Sequence, residues 1–101
     1  MKTPRYNTQT VPTATAARLG AVSAKRLMGV VLFGGSTDSK VEFFNAASET
    51  GTAILSLNCL ASTTTGVDLT ALGGLAFSTS IWCKPTGTGA LAYCWYDGSA
   101  T

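Results

Sequence analysis

The chain has 101 residues, a net charge of +2, three cysteines and no histidine. A chain of this length forms one domain, large enough to bury roughly two-thirds of the surface that its unfolded form exposes. The lack of histidine excludes Ser-His-Asp and Cys-His catalysis and removes the commonest zinc ligand. Charged residues make up only 12% of the sequence, about half the usual share. A protein surface with so few charges suits a protein that packs against its own copies or another scaffold. The alternative is a small, Thr-rich soluble domain.

The N-terminal segment is basic, whereas the remainder of the chain is mildly acidic. Five of the seven basic residues precede residue 27, and the first acidic residue is Asp38. We therefore predict an extended basic arm over residues 1–24 and a folded domain over residues 25–101. A basic arm can tie one subunit to an acidic neighbour. Five cations spread over 26 residues are a weak nucleic-acid signal. We expect no secretory signal and no membrane span, because no apolar run approaches the required length.

Residues 27–45 carry the pattern of a β-hairpin. The apolar run Leu27–Phe33 is followed by the turn sequence Gly34–Ser39 and by a second run, Lys40–Asn45, in which polar and apolar residues alternate. This pattern predicts two paired strands, over 25–33 and 40–45. The first strand is apolar on both faces, which predicts the core on one side and the arm or a neighbouring subunit on the other.

The rest of the chain consists of short strand patterns separated by Gly, Ser and Thr turns. Their number and spacing predict an all-β fold, either a small antiparallel β-sandwich or a jelly-roll-like barrel. The last two strands are predicted to pair as a hairpin about residues 85–89, in a register that places Ser80 nearer than Cys83 to Cys94. The four strands are predicted at 52–60, 67–69, 75–84 and 90–96.

No group of residues forms a convincing catalytic or metal site. The cysteines, Cys59, Cys83 and Cys94, have no close spacing, and we interpret them as reduced, buried small hydrophobes, with a disulfide as the alternative. Glu42 and Glu49 could supply the two carboxylates of a glycosidase, but on strand and loop positions they are better interpreted as solvated charges. We expect no enzymatic activity, no cofactor, no metal and no small-molecule substrate.

Aromatic residues near the C-terminus are the strongest candidates for a recognition surface. Exposed Trp and Tyr rings on a sheet can stack on sugars, but in a small sandwich the same side chains fill the core or a subunit contact. We favour the core or subunit contact. The four residues are Trp82, Tyr93, Trp95 and Tyr96.

Five short motifs occur in order between Arg26 and Tyr96. They are a Gly-Val-Val-Leu strand, a Val-Glu-Phe-Phe-Asn strand, a Gly-Thr-Ala-Ile segment, a Phe-Ser-Thr-Ser-Ile strand, and a Gly-Thr-Gly loop before a terminal aromatic strand, and they begin at Gly29, Val41, Gly51, Phe77 and Gly87. In these motifs the sequence resembles a family of short proteins encoded in the structural gene clusters of tailed bacteriophages.

The resemblance implies a non-enzymatic virion protein, made in the host cytoplasm and located on the outer surface of the capsid. We expect a capsid decoration (cement) protein, a homotrimer that clasps the major capsid protein through its arm. The alternative is a tail, baseplate or head-fibre module that binds host glycans. The expected capsid or subunit contacts are Lys2, Arg5, Tyr6, Val11, Arg18, Leu19, Lys25 and Arg26.

Overall fold

A computed structural model describes residues 7–12, 17–19, 26–46 and 53–97 of the chain. Within these ranges the regular structure is almost entirely β, as predicted, with a single 3₁₀ turn at Thr70–Leu72. The strands in chain order are β1 (Asn7–Pro12), β2 (Ala17–Arg18), β3 (Arg26–Phe33), β4 (Ser39–Asn45), β5 (Leu55–Cys59), β6 (Thr64–Asp68), β7 (Leu75–Ala76), β8 (Ile81–Thr86) and β9 (Leu91–Asp97).

The strands form two antiparallel sheets that pack face to face. The first sheet has the order β1-β9-β3-β6, with β7 also paired to β3, and the second has the order β2-β8-β4-β5. The pairs are nested: β4 pairs with β5, β3 with β6, β2 with β8, and β1 with β9. A chain doubled back on itself in this way and wrapped into two sheets is a jelly roll. The predicted fold class is therefore confirmed.

The core lies between the sheets and follows the two-residue alternation of each strand. On β9 the side chains of Ala92, Cys94 and Tyr96 point inward, and on β4 those of Val41 and Phe43 do so. Successive side chains of a strand point to opposite faces, so each sheet also presents an outer face. The other fully buried large side chains are Val11, Leu19, Leu27, Val30, Leu32, Phe77, Ile81 and Cys83.

Neither predicted hairpin is present. Strands β3 and β4 lie in opposite sheets, and so do β8 and β9, because each connecting loop crosses from one sheet to the other. The two crossing loops touch: the Ser36 N–H donates to the Thr88 carbonyl over 3.0 Å. A Cβ on Gly35 would lie 1.8 Å from that same carbonyl oxygen, so the close approach of the two backbones requires glycine there.

The predicted strand over 75–84 is two strands. Strand β7 belongs to the first sheet and β8 to the second, and residues 77–80 carry the chain between them. Phe77 stays in the core, while Asn45 Oδ1 accepts the Thr79 N–H over 2.7 Å and the Ser80 hydroxyl donates to the Ala46 carbonyl. Alternating polarity persists across such a crossing, which is why the sequence pattern did not reveal it.

The N-terminal residues that the structure describes do not extend away from the domain. Strand β1 pairs with β9 along six residues, from Asn7 opposite Tyr96 to Pro12 opposite Leu91, and β2 pairs with β8. Both Val11 and Leu19 are core residues. These parts of the predicted arm are therefore edge strands of the sandwich. Residues 1–6, 13–16 and 20–25 lie outside the described ranges.

Candidate functional site

The outer face of the first sheet is the candidate site, since apolar and aromatic side chains occupy its centre. Strand β9 presents Leu91, Tyr93 and Trp95 outward, and the adjacent β3 presents Val31 and Phe33. We call these five residues the aromatic face. Tyr93 is 39% exposed and Phe33 is 42% exposed. Exposed apolar groups that are adjacent to one another, rather than scattered, mark a binding surface.

Strand pairing brings the side chains of the aromatic face together. Tyr93 lies opposite Val31, and Leu91 lies opposite Phe33. On the outer side of β9, strand β1 places Thr8 beside Trp95 and Thr10 beside Tyr93. The resulting surface has a hydrophobic centre with hydroxyl groups along one edge.

Two glycines place no side chain beside Trp95 and Val31. Gly29 lies opposite Trp95, and the indole stands directly over it: a Cβ on Gly29 would lie 2.1 Å from Trp95 Cζ2. Gly66 lies opposite Val31 on the next strand, β6. The Trp95 ring therefore fills the space over Gly29, and no side chain stands opposite Val31 on β6.

Charge on this outer face is confined to one end. Among its described residues the charged side chains are Arg26, Asp68 and Asp97, and two of them are engaged locally. The Arg26 guanidinium donates to the Gly73 carbonyl over 3.0 Å. Asp68 Oδ1 accepts the Thr70 N–H and hydroxyl, which lowers the pKa of the carboxyl. These charges border the Trp95 end of the aromatic face, since Asp68 lies opposite Gly29 and Asp97 follows Trp95 by two residues on the same side of β9. The other end, around Tyr93 and Phe33, can be covered by a partner without burying a charge.

The second sheet presents an outer face of opposite character. Its strands direct Arg18, Lys40, Glu42 and Lys84 outward. Lys40 Nζ lies 3.6 Å from Glu42 Oε1, a partly exposed ion pair of the kind that stabilises a protein only slightly. We call these four residues the charged face. The same outer side also carries Trp82 and Phe44 beside Arg18, so the two sides of the sandwich differ in the number and position of their charges rather than in aromatic content.

The four predicted aromatic site residues do not form one surface. Tyr93 and Trp95 belong to the aromatic face, whereas Tyr96 is a core residue, 2% exposed, and burial raises the pKa of its hydroxyl. Trp82 lies on the outer side of the opposite sheet, beside Arg18 and Phe44. Its indole Nε1 is buried without a hydrogen-bond partner among the described residues. Two of the four predicted residues therefore belong to the aromatic face. The other three residues of that face were not predicted as site residues.

The sequence partly indicates the three residues that were not predicted, which are Val31, Phe33 and Leu91. Leu91, Tyr93 and Trp95 share one face by simple alternation, and Val31 and Phe33 do so on their own strand. The sequence does not show that β3 pairs with β9, and this pairing brings the outward side chains of the two strands together.

The predicted N-terminal contact residues are dispersed. Val11 and Leu19 are in the core rather than on a surface, because β1 and β2 complete the two sheets. Arg18 is exposed on the second sheet and Arg26 on the first. Lys2, Arg5, Tyr6 and Lys25 lie outside the described residues, as does Glu49, so the suggested Glu42–Glu49 pair has only one described member.

An open groove of about 450 Å³ lies at the end of β4 and β5. Its volume is in the range of small-molecule sites, but several of its polar groups are engaged within the protein. Asp38 Oδ1 accepts the Ala61 N–H, the Ser39 hydroxyl donates to the Thr37 carbonyl, and Cys59 Sγ donates to the Thr63 carbonyl. The groove is lined by Asp38, Ser39, Lys40, Asn58, Cys59, Leu60 and Thr86.

Neither a metal cluster nor a membrane-spanning helix is found within the described ranges. They contain no group of three or more His, Cys, Asp or Glu side chains arranged to hold a metal ion. They also contain no helix of the length and hydrophobicity needed to cross a bilayer. All three cysteines are buried, as predicted, and none is bonded to another.

No protein-family model, curated protein or solved structure matches this chain. The fold and the different positions of charge on its two outer faces are therefore the features that bear on function.

Proposed function

We propose that the chain is a non-enzymatic structural protein of a phage virion, and that it decorates the capsid by seating its aromatic face on the major capsid protein. The observation that carries the proposal is the neutral, aromatic centre of one outer face opposite a charged outer face on the other sheet. A partner on the aromatic face would bury Tyr93 and Phe33 without desolvating a charge, and Trp95 at the edge next to Asp97. Aromatic residues of this kind supply most of the binding free energy in protein interfaces.

Two further features support this assignment. The jelly roll is widespread among viral capsid proteins and lectins, although a fold shared by many proteins does not define a function. The strand motifs from Arg26 to Tyr96 resemble those of short virion proteins, as described above. A homotrimer would present three aromatic faces to a repeating shell, and this multivalency would strengthen a modest contact. The basic residues Lys2, Arg5 and Lys25 remain candidates for additional contacts with acidic patches of the shell.

The experiment is co-sedimentation of the purified protein with expanded phage heads that lack it. Tyr93→Asp and Phe33→Asp are expected to reduce head binding at least tenfold, because each places a charge in the contact while its side chain is exposed in the free protein. The matched control, Glu42→Lys, changes the charged face and should bind like the parent chain. Equal binding by all three variants would reject the aromatic face as the contact surface. Sedimentation equilibrium tests the trimer.

A second candidate is a tail, baseplate or head-fibre module that binds host glycans. The specific observation in its favour is the pair Tyr93 and Trp95, which are two residues apart on β9 and have their rings on the same outer face. On a glycan array, Trp95→Ala should abolish binding and Trp82→Ala, on the opposite sheet, should not. Glycan binding at a tail tip would replace the decoration hypothesis, whereas no binding to any glycan would remove this candidate.

A further inference from the structure

Two of the three thiols meet in the centre of the sandwich. Cys83 is on β8 in the second sheet and Cys94 is on β9 in the first, and both are fully buried. Their Sγ atoms are 4.0 Å apart. Since a disulfide bond is about 2.05 Å long, the two sulfurs need to approach by roughly 2 Å in total to bond.

Each of the two cysteines lies on a strand that is paired on both sides. In its own sheet Cys83 lies between Ala17 and Phe43, and Cys94 lies between Gln9 and Val30. The two sulfurs therefore face each other across the core from strands that are held on both sides. No change in strand order or register is required to join them.

The third cysteine is differently placed. Cys59 Sγ is 3.0 Å from the Thr63 carbonyl and 3.1 Å from the Thr63 hydroxyl, with the Leu32 carbonyl at 3.8 Å. Its described partners are oxygen atoms and do not include another sulfur. The fold thus distinguishes one close pair from one separate thiol.

We propose that Cys83 and Cys94 form an inter-sheet disulfide when the chain folds in the presence of a small-molecule disulfide such as oxidised glutathione. The inference does not depend on the proposed function. In a reducing cytosol the pair stays as two thiols, and in an oxidising medium it becomes a covalent link between the two sheets.

The chemistry is two successive thiol–disulfide exchanges. The thiolate of one cysteine attacks a sulfur of oxidised glutathione, which forms a mixed disulfide and releases one glutathione thiolate. The second cysteine then loses its proton and attacks the protein-bound sulfur of the mixed disulfide, which releases the second glutathione. The two cysteines are oxidised by two electrons in total, and one glutathione disulfide is reduced to two thiols.

The first exchange is expected while the chain is open. Both cysteines are fully buried in the folded protein, so glutathione cannot reach their sulfurs. The hydrogen bond with Cys94, together with burial, also raises the pKa of Cys83 far above its usual range, so the folded protein holds little of the Cys83 thiolate. Folding then brings the two sulfurs together, which directs the second exchange to this pair. Oxidation of the folded protein should accordingly be much slower than oxidation during refolding.

The test uses the full chain with Cys59→Ser, so that only the proposed pair remains. The protein is unfolded in urea, diluted into a buffer with oxidised and reduced glutathione, quenched with acid and alkylated in denaturant. A product that has lost two hydrogens, carries no alkyl group and melts about 10 °C higher than its reduced form supports the proposal. Two alkylated cysteines after refolding, or an oxidised form that melts lower, would overturn it.

Cys83→Ser and Cys94→Ser in the same background are the controls, and neither should gain thermal stability from the glutathione buffer. If Cys59→Ser does not fold, the parent chain is oxidised instead and digested with chymotrypsin, which cuts after aromatic residues and separates Cys83 from Cys94. A linked peptide pair containing these two cysteines supports the proposal. A link that includes Cys59 refutes it.

Discussion

The indole of Trp95 occupies the space above Gly29 in which any other residue would place its Cβ. The two residues are directly opposite each other on neighbouring strands, so the ring packs on backbone rather than on a side chain. Glycine in a strand interior usually weakens the sheet, since it contributes no side-chain packing. Here the ring covers the exposed backbone, and the absence of a side chain at position 29 fixes where the ring lies.

Gly29→Ala should therefore displace the Trp95 ring. We expect a loss of about 1–3 kcal/mol in the free energy of unfolding and a shift in tryptophan fluorescence. In the Trp95→Ala background the same substitution should cost much less, because nothing then occupies the space. Urea denaturation of the four proteins gives the coupling energy of the pair. Additive effects of the two substitutions would contradict the described packing.

Lysine substitutions at two adjacent positions of β3, Val31 and Leu32, should have different effects on folding. Val31 points to the aromatic face, whereas Leu32 is fully buried in the core. Leu32→Lys buries an unpaired charge, which costs several kcal/mol, comparable with the whole stability of a small domain. Val31→Lys should fold and lose head binding. Circular dichroism melts distinguish the two, and a cooperatively folded Leu32→Lys protein would contradict the orientation assigned to β3.

Removal of residues 1–24 should prevent folding. The deletion removes β1 and β2 and leaves β9 and β8 without their outer partners. It also removes the core side chains of Val11 and Leu19, and a buried leucine alone contributes about 2–5 kcal/mol. We expect no cooperative unfolding transition in the truncated chain. Deletion of residues 1–6 is the control, because it keeps every described strand; a stable domain over residues 25–101 would contradict the roles of β1 and β2.

Stability should fall at alkaline pH. The folded protein retains the Cys83 proton, because the pKa of that thiol is raised, whereas the unfolded chain loses it above about pH 8.5. The unfolded state then binds fewer protons, so the free energy of unfolding decreases by up to about 1.4 kcal/mol per pH unit for this group. The raised pKa of Tyr96 adds a further decrease above about pH 10.

Urea denaturation between pH 7 and pH 10 measures this effect. Cys83→Ala should be less stable at neutral pH and show a smaller decrease between pH 8.5 and pH 10. A parent protein whose stability is constant to pH 10 would show that the thiol is not protected in the folded state.

The direction of side chains within one strand was predictable from the sequence. Alternation along residues 91–96 identified which side chains share a face, and the number and spacing of short strand patterns between Gly, Ser and Thr turns identified the fold class. Pairing between strands was not predictable, because turn sequences such as Gly34–Ser39 serve equally for a hairpin and for a loop that crosses between sheets. The sequence predicts an arm at Asn7–Pro12 for a related reason: the strand character of this segment depends on pairing with β9, about 80 residues later in the chain.

The pairing of β1 with β9 also constrains how the molecule reaches its folded state. The first and last described strands are neighbours in the first sheet, so that sheet cannot be completed until the C-terminal strand has left the ribosome. Most pairings join distant parts of the chain, a topology that folds slowly. The aromatic face, assembled from β3 and β9, therefore cannot form until β9 has been synthesised, although β3 emerges from the ribosome much earlier.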